Sequence, residues 1–232
     1  MAPAVTAERF AEGMTFDEYL RYIATPENLA RIGNWPATTP PRTDQSVALR
    51  EAFEARRLTE DQVAALRWLV DQPRGPANLL VIAEEWSSDC QRDLPTFARL
   101  AEDTGIELRI FTRDGLNYST GPVSDPDESP NADLMAQFLK ERGGTTFQSI
   151  PVAAFFTRDM EYLYHYQEFP AVYDKDGLRA NPGAPLNGDT EGWAALRAGP
   201  FFRVWASSAV DEIISQLHHI ALTGTPLPRA DV

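Results

Sequence analysis

The residues best placed to do chemistry lie in one short stretch, Trp86-Ser87-Ser88-Asp89-Cys90, followed by Gln91-Arg92-Asp93-Leu94-Pro95. Cys90 is the sole cysteine of the 232-residue chain, so no internal disulfide can form. An apolar run, Leu79 to Ala83, leads into the stretch, and a helical pattern through Leu94, Phe97 and Leu100 leaves it. A cysteine in the first turn of such a helix faces unpaired backbone N–H groups and the positive end of the helix dipole. Both favour the thiolate and lower a thiol pKa from its usual ~8.5. Either serine can cap the helix. Ser88 and Gln91 have the spacing of a capping box, which makes Ser88 the expected N-cap and puts Cys90 in the first turn.

Two readings of Cys90 stand side by side. In one it is a small buried core residue, as free cysteines commonly are. In the other it is a single-thiol redox site that forms mixed disulfides or is oxidised by peroxide. Glu84, Glu85, Asp89 and Asp93 crowd the same segment, and solvated surface charge is the expected role of that acidic cluster. No metal site is read from the chain: His218 and His219 are helix neighbours pointing apart, and with His165 they make no ligand spacing. No glycine pattern suits a phosphate or dinucleotide cradle, and no cofactor is expected.

The elements that must hold this segment follow from hydrophobic periodicity. Residues 1–75 read as a helical extension. Phe16, Tyr19, Leu20 and Ile23 recur at helical spacing, a second helix runs through Val47, Leu49 and Phe53, and Thr59 with Gln62 forms a capping box opening a third. Pro36, Pro40 and Pro41 mark a connection between Asn34 and Thr43, and Pro73, Gly75 and Pro76 end the extension. From residue 76 the pattern becomes α/β. Leu79–Ala83 reads as a strand buried on both faces, and Ile106–Phe111 as the next, after Gly105 ends the intervening helix. Gly115–Asn131 reads as a long loop, and Asp133–Arg142 as a helix with Leu134, Phe138 and Leu139 inward, closed by Gly143-Gly144. Val152–Phe156 and Tyr162–Tyr166 read as a hairpin, residues 167–200 as irregular, and Phe201–Leu222 as a final amphipathic helix. The expected order from residue 78 is β-α-β-α-β-β-α, with residues 76–232 forming one domain.

Against this order, Trp86-Ser87-Ser88-Asp89-Cys90 resembles the W-C-x-x-C motif of the thioredoxin-like superfamily, with Ser87 in place of the first cysteine. Pro95 stands five residues after Cys90, where thioredoxins carry a helix proline. Ser149-Ile150-Pro151-Val152 is similar to the family's cis-proline loop. Glu84-Glu85-Trp86, Ile106 to Ile110, Arg113-Asp114 and Phe16-Asp17-Glu18-Tyr19-Leu20 are similar to a bacterial branch reading E-x-W-C-x-D-(A/C). The resemblance implies a thioredoxin-like α/β fold. It makes Cys90 the redox residue and puts Ser87 in the vacated attacking position. Trp86, Ser88, Asp89, Ile150 and Pro151 would frame a substrate groove. Thioredoxins attack with the first cysteine and resolve with the second, and a serine hydroxyl cannot perform thiol–disulfide exchange. The family's buried acid falls at Val81. The chain is therefore not expected to act alone as a dithiol reductant. Single-thiol redox activity through Cys90 stands against non-catalytic binding of a protein or peptide in the same groove.

Composition bounds the partners. Hydrophobic residues make up 43% and charged residues 24%, ordinary for a globular chain, and the net charge is −13. That balance repels phosphate backbones and anionic membrane surfaces, so neither nucleic acid nor membrane is expected as a partner. A protein, or a low-molecular-weight thiol or disulfide, is the expected one. The N-terminus shows no signal-peptide pattern, no apolar run reaches the length of a membrane span, and a cytoplasmic location is expected. Oligomeric state is left open.

Overall fold

The computed structural model describes residues 2–31, 42–116, 121–173 and 199–225. Most of the expected connection at Asn34–Thr43, part of the Gly115–Asn131 loop and most of 167–200 lie outside these residues. Four strands form the central sheet: β1 (Asn78–Ile82), β2 (Glu107–Phe111), β5 (Val152–Phe156) and β6 (Tyr162–Gln167). Their spatial order is β2-β1-β5-β6, with β1–β2 parallel and both β1–β5 and β5–β6 antiparallel. Every residue of β5, and four of the five in β1, is buried. That is why both strands read as continuous apolar runs rather than as alternating patterns.

The helix α6 (Ser88–Thr104) crosses from β1 to β2, as parallel pairing requires. It ends at Gly105, whose φ of 78° is left-handed and suits a residue without Cβ. The C-terminal helix α8 (Pro200–Thr223) packs on α6 and β6. Together β1-α6-β2 and β5-β6-α8 make a thioredoxin-like α/β fold.

The N-terminal helices are α1 (Ala7–Ala11), α2 (Phe16–Ile23), α3 (Pro26–Leu29), α4 (Ser46–Ala55) and α5 (Glu60–Val70). Threonine caps four of them: Thr6, Thr15, Thr25 and Thr59 each accept a backbone N–H three residues on. Thr59–Gln62 is a complete capping box. The apolar face of α2 buries Tyr19, Leu20 and Ile23. Met14 bridges Ile110 on the free edge of β2, and the N-terminal residues join the same hydrophobic core as the sheet.

One expected element is replaced. The helix over Asp133–Arg142 shortens to α7 (Ala132–Met135), and a small hairpin, β3 (Lys140–Arg142) with β4 (Thr145–Phe147), follows it. Gly143 and Gly144, with φ of 55° and 78°, form a two-residue turn rather than a helix end. Two successive positive φ values match the twist of a tight hairpin, and the β-favouring Thr-Thr-Phe continues it. Leu134 and Phe138 are still buried, as a helix would have had them.

Candidate functional site

After β1 the chain turns through Glu84–Ser87, closed by the Ser87 N–H donating to the Glu84 carbonyl at 3.1 Å. Ser87, not Ser88, is the N-cap of α6. Its backbone is extended, and its Oγ accepts the N–H of Cys90 at 3.4 Å. Gln91 does not complete a capping box, because its amide donates to the Glu85 carbonyl at 2.7 Å instead. Cys90 sits in the first turn, where the sequence put it, but only 1% of it is exposed. Burial pushes the Cys90 thiol pKa up, and the charges of Asp89 and Glu84 push the same way. Hydrogen bonding to the Ser87 side chain and the Glu84 backbone opposes this without overcoming it. The helix-terminus argument for a thiolate is outweighed here by desolvation.

Antiparallel pairing of Ile82 with Val152 brings the Ile150–Pro151 loop to the same end of the sheet as the Trp86–Cys90 turn. The Ile150–Pro151 peptide bond is cis. Ser87, Asp89, Ile150 and Pro151 are buried, whereas Trp86 and Ser88 are partly exposed. Of the expected groove residues, Trp86 and Ser88 thus reach the surface. The Trp86 indole N–H donates to Asp114 Oδ2 at 3.1 Å, and the Arg113 guanidinium lies 5.3 Å from the ring centroid.

The acidic cluster is not solvated. Glu84, Glu85, Asp89 and Asp93 are all buried and paired with arginines: Arg31 and Arg42, which the sequence pattern did not single out, meet Glu84 and Glu85, and Arg92 meets Asp89 and Asp93. Glu84 Oε1 accepts from Arg31 at 2.7 Å and from the N–H groups of Arg113 and Asp114 at 2.8 and 2.7 Å. Its Oε2 accepts from Arg42 at 2.9 Å, and Arg42 also reaches Glu85 at 2.7 Å. The Arg113 side chain pairs with Asp114 at 2.8 Å and donates to the Gln148 carbonyl at 2.9 Å, just before the Ile150–Pro151 loop. On the other side of Cys90, the Arg92 side chain bridges Asp89 and Asp93 and donates to the Glu168 carbonyl. The Tyr166 hydroxyl donates to Asp93 at 2.7 Å. Burial holds the Asp93 carboxyl above its usual range, opposed by Arg92 and Tyr166. A carboxylate in a core survives only when paired and hydrogen-bonded, and these are. The one visible signal was placement: Glu84 and Glu85 follow, after a single residue, a strand whose last four residues are buried.

Sheet order and crossover helix define the class of protein, a thioredoxin-like α/β domain. Residues 13–119 match the thioredoxin family model, a span that runs from the N-terminal helices through the Trp86–Cys90 segment. A crystal structure of a protein of unknown function, PA1234 from Pseudomonas aeruginosa, superposes with a TM-score of 0.51 at 17% identity, covering 94% of this chain and 99% of that one. An HIV epitope-scaffold superposes with a TM-score of 0.50, also at 17% identity, over 95% of this chain and 99% of its own. At this identity the likeness speaks to the fold alone. Among curated proteins there is no match.

Proposed function

We propose that this chain is a non-catalytic thioredoxin-like binding domain with a structural cysteine. The observation that carries the reading is the state of Cys90: a buried thiol with its pKa raised, capped by the serine that occupies the attacking position. A nucleophilic thiol needs access and thiolate character, and Cys90 has neither. Ser87 supplies no second sulfur. The buried carboxylate–guanidinium network fills the space around the motif with paired charges.

The partner is a protein or peptide segment meeting the Trp86 end. Phe147 and Val123 are exposed there. Phe147 adjoins Gln148, whose amide donates to the Val123 carbonyl at 3.0 Å and whose own carbonyl accepts from the Arg113 that covers Trp86. Aromatic and arginine side chains at a rim of this kind are the residue types that anchor protein contacts. A chain with a single thiol suits a cytoplasmic setting.

The deciding experiment is the alkylation rate of Cys90 in the folded protein as a function of pH. No labelling until the protein unfolds is the expected result. Rapid labelling with a midpoint well below ~8.5 would overturn the reading in favour of single-thiol redox chemistry.

A further inference from the structure

A second pocket, of about 560 Å³, opens between α4, α5, α6 and α8, lined by residues distinct from the Trp86 rim. Four arginines line it, Arg56, Arg57, Arg92 and Arg203, in a chain whose net charge is −13. Their situations differ. Arg92 is neutralised by Asp89 and Asp93. Arg57 donates to the backbone carbonyls of Glu54 and Arg56. Arg56 and Arg203 have no carboxylate partner among the described residues. Among the described residues the side chain of Arg56 makes one hydrogen bond, to the Arg92 carbonyl at 3.4 Å, and its buried Nε has no acceptor. The nearby carboxylates are spent elsewhere, Asp93 on Arg92 and Tyr166, and Asp211 on Gln62 at 2.7 Å. Burial, with the charges of Arg203 and Arg92, pushes the Arg56 pKa down even though Asp93 opposes it. The pocket therefore holds uncompensated positive charge.

Thr96 supplies the independent observation. It is 99% buried, lines the pocket, and its hydroxyl has no partner among the described residues. A helical threonine ordinarily bonds the carbonyl four residues back. Here that carbonyl, of Arg92, is taken by Arg56. A buried hydroxyl left without a partner is destabilising unless something meets it. Leu58 and Phe202 give the pocket an apolar side, and its volume lies within the range of small-molecule sites.

We propose that this pocket binds a small organic oxyanion, its oxygens held by Arg56, Arg203 and the Thr96 hydroxyl and its apolar body against Leu58 and Phe202. Guanidinium forks suit planar or tetrahedral oxyanions alike, so a phosphate monoester and a carboxylate share this chemistry. The site does not depend on the reading of Cys90.

The test is isothermal titration of the full chain at low ionic strength with phenyl phosphate, benzoate and inorganic phosphate. One-to-one saturable binding of phenyl phosphate or benzoate is expected, and whichever binds tighter identifies the head group. Inorganic phosphate, lacking the apolar body, is expected to bind about tenfold more weakly. Arg203→Gln, at an exposed position, leaves the fold intact and is expected to weaken binding by about tenfold, as is Arg56→Gln. Thr96→Val is expected to weaken it several-fold. Failure of both organic probes to saturate, or unchanged affinity in Arg203→Gln and Arg56→Gln, would overturn the proposal.

Discussion

The Ser87 Oγ accepts the backbone N–H of Cys90 at 3.4 Å, so the side chain standing in the attacking position serves as the helix cap of the thiol that remains. Removing that cap leaves an orphan N–H in a buried turn. Ser87→Ala is expected to lower stability by about 1 kcal/mol in urea unfolding, with Cys90 remaining unlabelled in the native state.

Restoring a sulfur at this position tests whether the local geometry is still that of a dithiol site. N-cap and N3 residues of a helix have Cα atoms about 5–6 Å apart, within disulfide range. Ser87→Cys is expected to form an intramolecular disulfide with Cys90 on treatment with diamide, read as a mass loss of two hydrogens and loss of free thiol. A variant that retains both thiols under oxidant would show that the surrounding charge network has closed the site to disulfide geometry.

The buried thiol also sets an alkaline pH dependence. Unfolded Cys90 ionises from ~8.5, while the folded thiol keeps its proton to higher pH. Above that value the folded state binds more protons than the unfolded one, so stability falls as pH rises through the window between the two pKa values. The contribution is complete below ~8.5 and declines by about 1.4 kcal/mol per pH unit above it. Measured against Cys90→Ala, the wild-type advantage is expected to be constant from pH 6 to 8 and to shrink from about pH 9 upward. A constant difference across that range would mean a thiol with an ordinary pKa.

Glu84 is the hub of the network near the motif, accepting from Arg31, Arg42 and two backbone N–H groups. Glu84→Ala leaves two buried guanidiniums and two amides short of an acceptor. A loss of about 3–5 kcal/mol is expected in chemical denaturation. A change below about 1 kcal/mol would place the carboxylate in solvent after all.

The β3–β4 turn is tested by Gly144→Ala. A Cβ there would meet nothing within 4 Å, so the cost is that of a left-handed backbone alone. About 1–2 kcal/mol of destabilisation is expected from thermal unfolding.

Periodicity and end signals carried much of the fold. Two apolar runs became the buried strands β1 and β5, Thr59–Gln62 opened α5 as a capping box, and Gly105 closed α6. The Gly143-Gly144 pair was ambiguous because glycine serves helix ends and tight turns equally, and only pairing of Lys140 with Phe147 selects the hairpin. The position of Cys90 in the first turn of α6 was legible from the apolar run before it and the helical pattern after it. The environment of Cys90 was not, because a helix N-terminus lowers a thiol pKa and burial raises it, and burial is a property of what packs on the residue. The same holds for the acidic cluster. Composition counts Glu84, Glu85, Asp89 and Asp93 as charges, and solvent is the default place for a charge. Arg31 and Arg42, 53 and 42 residues from Glu84 along the chain, make its Glu84–Glu85 half a buried salt-bridged core, while neighbouring Arg92 pairs with Asp89 and Asp93. Local sequence determined which elements form and where the thiol sits, since those depend on neighbours along the chain. Tertiary structure decided which distant charges are paired, whether the thiol is reachable, and where Arg56 and Arg203 are left without a counterion among the described residues, since these depend on long-range contacts and on exclusion of water.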